Sequence, residues 1–419
     1  MKPGFQETKI GSFSSDWLVV PIGKVTTLSQ YGLSISADKD GTVPILGMKN
    51  LSNGKINLNN LSCVSISDKD KENFCLKKND VLLNRTNSYD LVGKVSIYES
   101  EEVVVFASYL VRFQFDQEKI VPKFANYFLN SYIAQSYLKK IATKGVSQVN
   151  INPTVFKKLF LIPVPSLQEQ KQIVEVLEAW DSAIALTEQL ITAKQKLKRG
   201  LMQQIFSGKP NLSNGMKEWP KVRLSNIFKR VTRKNNQGND IALTISGQFG
   251  LVRQEDFFKK RVAGEILSNY YLLKRDEYAF NRSSMKGYPF GAIKRLRECD
   301  SGVVSTLYIC FALSCKECSH AFFDHFFESG AFNKEIYSIA QEGARTHGLL
   351  NLNVSDFFSL HVPLPCLEEQ NRVAALLDDV DLEINLLKKY LLDLSKQKQG
   401  LMQKLLTGEW RVPVEEVAA

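Results

Sequence analysis

Pro163-Val-Pro165-Ser-Leu167-Gln-Glu169-Gln170 returns two hundred residues later as Pro363-Leu-Pro365-Cys-Leu367-Glu-Glu369-Gln370. Gly200-Leu201-Met202-Gln203 returns as Gly400-Leu401-Met402-Gln403, and Gly208 as Gly408. Laid over each other without a gap, residues 163–208 and 363–408 are identical at 16 of 46 positions. Chance gives roughly three, so the chain is duplicated. Each copy opens on Pro-x-Pro, an extended geometry that cannot lie within a helix. A long helical pattern follows.

In the second copy the heptad core positions are Val373, Leu377, Val380, Ile384, Leu387, Leu391, Leu394, Lys398, Leu401 and Leu405. In the first they are Ile173, Leu177, Trp180, Ile184, Thr187, Ile191, Lys194, Lys198, Leu201 and Ile205. A 3.5-residue spacing over more than four heptads predicts a coiled coil. A helix of roughly 40 residues is about 60 Å long, more than a compact domain spans. The expected partner of each stripe is the other copy, packed antiparallel, with Gly208 and Gly408 as helix terminators.

The duplication extends backward more weakly. Asp16-Trp17 matches Glu218-Trp219, and Asn84-Arg85-Thr86 matches Asn281-Arg282-Ser283. Gly93-Lys-Val95 matches Gly291-Ala-Ile293, and Asn150-Ile-Asn152 matches Asn351-Leu-Asn353. The expected fold class is α+β: two mixed-sheet domains separated by two long helices, with a pseudo-twofold repeat. The boundaries drawn are 1–155 and 216–355 for the two domains, and 156–215 and 356–419 for the helix regions.

The chain has 419 residues and a formal net charge of +10. Residues 1–150 hold 18 Lys/Arg against 14 Asp/Glu, and residues 217–354 hold 21 against 14. The last helix region is acidic. Basic domains suit a polyanionic partner, because neutralised phosphates release counterions. No apolar run approaches the about 18 residues of a membrane span, and Met1-Lys2-Pro3-Gly4-Phe5-Gln6 lacks a signal peptide's apolar core. Seven cysteines, an odd number, fit free thiols in a reducing compartment. A cytoplasmic protein with no membrane partner is expected.

Catalytic signatures are missing: no Walker A, no GxGxxG after a strand, no HExxH. Asn152-Pro153-Thr154-Val155 falls short of the signature of amino-methyltransferases. Glu169-Gln-Lys171 has the Glu-x-Lys spacing of nuclease sites, but its repeat carries Asn371. Cys315, Cys318, His320 and His325 suit no common zinc spacing, and no metal site is assigned. What remains is polar, basic loops at matching places. Arg reads guanine edges, and Asn or Gln reads adenine edges, by paired hydrogen bonds. The candidate DNA-binding residues are Lys49, Asn50, Asn84, Arg85, Thr86, Asn87, Lys144, Ser147 and Gln148 in the first domain. In the second they are Asn281, Arg282, Ser283, Lys286, Arg345, Thr346 and His347. The candidate helix-pair interface is Ile173, Leu177, Trp180, Ile184, Ile191, Leu201, Val373, Leu377, Val380, Ile384, Leu387, Leu391, Leu394 and Leu401.

On Asp16-Trp17, the two Pro-x-Pro-x-Leu-x-Glu-Gln openings and the two Gly-Leu-Met-Gln…Gly closings, the chain resembles the specificity subunit of type I restriction-modification enzymes over essentially its whole length. The resemblance implies two target-recognition domains, each reading half of a bipartite site in double-stranded DNA. It implies that the helices act as a ruler and dock two methyltransferase subunits, with restriction/translocase subunits further out. It implies no catalytic residues and no cofactor on this chain, S-adenosylmethionine, ATP and Mg²⁺ belonging to the partners. The competing readings are a self-contained methyltransferase-nuclease and a basic coiled-coil scaffold without sequence specificity.

Overall fold

Four helices organise the computed structural model: α1 (Pro122–Leu129), α2 (Leu167–Phe206), α3 (His320–Glu328) and α4 (Leu367–Leu405). The structure describes residues 3–144, 148–207, 219–247, 249–258, 267–285, 287–340, 350 and 352–413. The chain divides into two compact units, Met1–Glu188 with Lys389–Ala419, and Gln189–Lys388. Both long helices are shared between the units. The expected cuts at 155/156 and 355/356 fall inside the short helices Pro153–Leu159 and Val354–Ser359. Those helices belong with the domains, because the strands after them close back on each domain's start. Leu161–Val164 pairs antiparallel with Leu18–Pro21, and His361–Pro363 with Lys221–Arg223.

In the first unit the strands that matter are β1 (Thr26–Tyr31), β2 (Val81–Asn84), β3 (Thr86–Asn87), β4 (Val95–Ile97), β5 (Leu110–Phe115), β6 (Thr143–Lys144) and β7 (Val149–Asn150). The main sheet has the order β4-β2-β5-β1 and is antiparallel throughout. One parallel pair elsewhere, Val105–Phe106 on Ile45–Leu46, makes the domain mixed. Arg112, inside the apolar run of β5, is buried against Asp80 at 3.3 Å and donates to Cys75 O, so it serves the fold and not a surface. The second unit repeats the main sheet with β8 (Phe228–Arg230), β9 (Tyr278–Asn281), β10 (Ala292–Arg295) and β11 (Ile309–Leu313), in the order β10-β9-β11-β8.

The repeated Gln of each Pro-x-Pro opening ties its helix to its domain. Gln170 is fully buried; its Nε2 donates to Lys119 O at 3.0 Å and Pro165 O at 2.8 Å, and Val121 N–H donates to its Oε1 at 2.7 Å. Gln370 repeats all three bonds, with Glu317 O at 3.1 Å, Pro365 O at 2.8 Å and Ser319 N–H at 2.8 Å.

Within each unit the two helices run antiparallel. In the first, Ile173 and Leu177 share a core with Leu401 and Leu405; in the second, Leu201 and Ile205 share one with Val373 and Leu377. Trp180, Ile184, Ile191, Val380, Ile384, Leu387, Leu391 and Leu394 are buried or half-buried as the heptads predict. The lysines that interrupt the stripes are neutralised in place. Lys398 meets Asp181 at 2.8 Å, Lys198 meets Asp381 at 2.6 Å, and Lys194 meets Glu383 at 2.8 Å. Gly408 has φ +74°, and a Cβ there would lie 2.7 Å from Ser14 Cβ, so only glycine closes this helix against the domain. Gly208 lies outside the described residues.

Candidate nucleic-acid interface

In the first unit the fold gathers the two nominated loops. Strands β3, β7 and β6 form a small antiparallel sheet that sets Thr86 and Thr143 opposite Asn150, and Asn87 and Lys144 opposite Val149. Arg85 sits at the mouth of β2. Its N–H donates to Tyr109 O at 3.0 Å and its carbonyl accepts from Ile151 N–H at 2.8 Å. Its guanidinium lies 4.9 Å from the Tyr31 ring centroid, and its Nε donates to Ser108 O at 3.2 Å. Its Nη1 donates to Asn150 Oδ1 at 3.3 Å, as does Thr86 Oγ1. Asn87 reaches Met48 Sδ with its Nδ2 at 3.5 Å, which brings exposed Lys49 beside the same end. Gln148 is exposed there as well.

Two nominations are corrected. Asn84 is 0% exposed, and its Nδ2 donates inward to Leu91 O at 3.3 Å. Asn50 is 5% exposed and shapes its own turn, accepting from Gly47 N–H at 2.9 Å and donating to Asn57 O at 3.1 Å. Both side chains are enclosed by protein, where DNA cannot reach them. Ser147 lies outside the described residues; Lys144 is placed as part of β6.

The second unit builds the same corner. Arg282 donates from Nε to Leu307 O at 3.1 Å and from Nη1 to Leu352 O at 3.3 Å, and its carbonyl accepts from Leu350 N–H at 2.9 Å. Asn281 Oδ1 accepts from Ser283 N–H at 3.0 Å. Gly291, at φ +79°, packs against Asn281, where a Cβ would lie 2.2 Å from Asn281 O; Gly93, beside the other Asn-Arg pair, shares the left-handed backbone at φ +83°, which favours glycine at both places. Lys286, Arg345, Thr346 and His347 lie outside the described residues.

Sequence reading passed over two residues, Asn150 and Tyr31. The Asn-x-Asn repeat marks the first; no pattern marks the second, which reaches Arg85 from a strand more than fifty residues away. The two histidines that follow Cys315 and Cys318 turn apart: His320 Nδ1 meets Tyr278 Oη at 3.1 Å, and His325 Nε2 meets Asp378 Oδ1 at 2.8 Å. Burial pushes the Cys310 thiol up to about 12, so it stays protonated in the core. His325, Asp378 and Asp381 offer ligand atoms within 4.8 Å of one another, yet Asp381 already holds the Lys198 ammonium at 2.6 Å.

Residues 14–195 match the family described as type I restriction modification DNA specificity domain. The putative type I restriction enzyme MjaX specificity subunit of Methanocaldococcus jannaschii is 26% identical over 97% of this chain and 97% of its own. A chain from a structure titled for complex assembly and conformational transition of the type I R-M system has the same fold, at TM-score 0.59 and 16% identity, covering 95% of this chain and 99% of that one. The type I restriction-modification system S subunit from M. genitalium aligns at TM-score 0.51 and 17% identity, covering 97% and 99%. Among the described residues no helix is long and apolar enough to cross a membrane. Residues 14–195 thus resemble a type I restriction-modification DNA specificity domain, and over nearly its whole length the chain resembles the specificity subunits of those enzymes.

Proposed function

We propose that this chain is the sequence-reading subunit of a type I restriction-modification complex, each domain reading one half of a bipartite site in double-stranded DNA. One observation carries this: the same sheet, the same Gln anchor and the same braced arginine occur twice, while the surrounding loop sequences differ. A duplicated scaffold with divergent loops suits two different half-sites.

The finer parts of the reading rest on the heptad stripes and the ion pairs that neutralise their lysines. Helices α2 and α4, each running from one unit into the other, form an antiparallel coiled coil that sets the spacer between half-sites. They also dock two methyltransferase subunits, with restriction/translocase subunits joining them. S-adenosylmethionine, ATP and Mg²⁺ bind those partners, in the cytoplasm.

The test is methylome sequencing of cells carrying this chain and its methyltransferase. A two-part motif is expected, and exchanging residues 217–354 for those of another specificity subunit should alter one half only. Changes in both halves would overturn the assignment. The ruler has its own test. Four residues inserted between Thr187 and Ile191 add about 6 Å of helix, against about 3.4 Å per base pair. The spacer should grow by about one base pair with both halves kept. An active complex with an unchanged spacer would show that the helices do not measure distance.

A further inference from the structure

Arg85 and Arg282 are held alike. Each spends Nε on a backbone carbonyl, Ser108 O or Leu307 O, and Nη1 on a second acceptor, Asn150 Oδ1 or Leu352 O. Among the described residues neither forms an ion pair, and neither Nη2 has a partner. The neighbouring Asn oxygens are engaged to different degrees. Asn150 Oδ1 takes Arg85 and Thr86, and Asn281 Oδ1 takes Ser283 N–H. Each corner therefore presents a planar cation with N–H donors left to give.

Resting on the DNA-reading function above, we infer that Arg85 and Arg282 each read the acceptor edge of a guanine in the major groove, one in each half-site. Guanine shows two acceptors there, O6 and N7, which a guanidinium meets with two hydrogen bonds. Adenine presents a donor beside its acceptor, and a guanidinium has no acceptor to meet that donor. A guanidinium fixed at Nε and Nη1 is held in one plane and loses little freedom on binding. A forked phosphate contact would use the same geometry, and base preference and salt dependence separate the two.

The experiment is selection from randomised duplexes at one salt concentration by the full chain, followed by affinities for the selected site. The intact chain should select at least one guanine in each half. Arg85→Lys and Arg85→Ala should relax a guanine preference in one half by about tenfold, and Arg282→Lys and Arg282→Ala in the other. With the unaltered protein, 7-deazaguanine at that position, which lacks the N7 acceptor, should weaken binding by about tenfold as well. This arm and the lysine variants decide the matter if the alanine variants do not fold. Uniform weakening of all duplexes with a shallower salt dependence would mean phosphate contact and overturn the inference. An unchanged motif would leave both arginines as braces of the fold and overturn it too. If the intact chain selects no motif at all, the DNA-reading function fails first, and this inference with it.

Discussion

The two units share their scaffold and differ in how they close it. In the first, Glu169 at the head of α2 is almost fully buried and fully occupied. Trp17 Nε1 donates to it at 3.1 Å, and Arg411 binds it at 2.6 and 3.1 Å while reaching Asp16 at 3.0 Å. Its repeat in the second unit, Glu369, has Oε1 buried with no partner among the described residues. The Gln anchors one residue further on are identical. The part of each opening that joins helix to domain is thus the same in both units, and the clamp made by Arg411, beyond the end of α4, is not. The cores diverge as well. The first is largely aliphatic around Phe113, Phe128, Phe156 and Phe160, while the second packs Phe228, Phe311, Phe323 and Phe327 edge to face.

The largest effect should come from the shared feature, and it should be equal on both sides. Gln170→Ala and Gln370→Ala each strand a buried N–H and two carbonyls, a loss of about 3 kcal/mol. Hydrogen exchange should show α1 losing protection in the first variant and α3 in the second. A unit that tolerates its substitution would break the equivalence. The clamp should give the next effect, on one side only. Arg411→Ala leaves the Glu169 carboxylate with Trp17 alone and should destabilise the first unit by about 2 kcal/mol. Glu369→Gln should cost the second unit under about 0.5 kcal/mol. Equal shifts in denaturant midpoint would remove the contrast.

How much of this was written in the sequence depends on range. The helices were legible because their stripes are local and periodic, and Gln170 and Gln370 because the motif repeats whole. Arg85 and Arg282 were legible because both keep an Asn before them and a glycine after. The role of Asn84 was not, because a polar residue after an apolar strand reads as a surface loop, and only β4 and Gly93 folding over it enclose it. The Arg411 clamp was hidden for the same reason, since its partners stand 242 and 395 positions away.

A smaller contrast lies between the short helix of each unit and the long helix beside it. Tyr127 donates to Asp181 at 2.6 Å, where the second unit has His325 against Asp378. Burial first, then the Asp181 carboxylate, pushes the Tyr127 phenol far above its ordinary range, so it is a permanent donor. Tyr127→Phe should cost the first unit about 1 kcal/mol, since Asp181 keeps Lys398, and should leave the second unchanged. A calorimetric loss in both would show that the two sites are not separate.

The smallest expected effect is a difference in acid sensitivity. All four histidines, 320, 325, 347 and 361, belong to the second unit. His320 stacks on Tyr278 at 5.8 Å, and its pKa lies below the ordinary 6.5, first because of burial and then because of the Arg295 charge. Arg297 adds to that depression, while Asp276 and Asp324 oppose it without reversing it. The folded ring therefore stays neutral where the unfolded ring takes a proton. Its contribution to stability is complete above pH 6.5 and is lost as the pH falls from there through the lower, folded value. Between pH 7.5 and 5 the second unit should lose melting temperature more steeply in the native chain than in His320→Asn, which keeps a polar group near Tyr278 and cannot titrate. The histidine-free first unit should show the same slope in both proteins. Parallel slopes for the second unit would mean that His320 carries no part of the acid sensitivity.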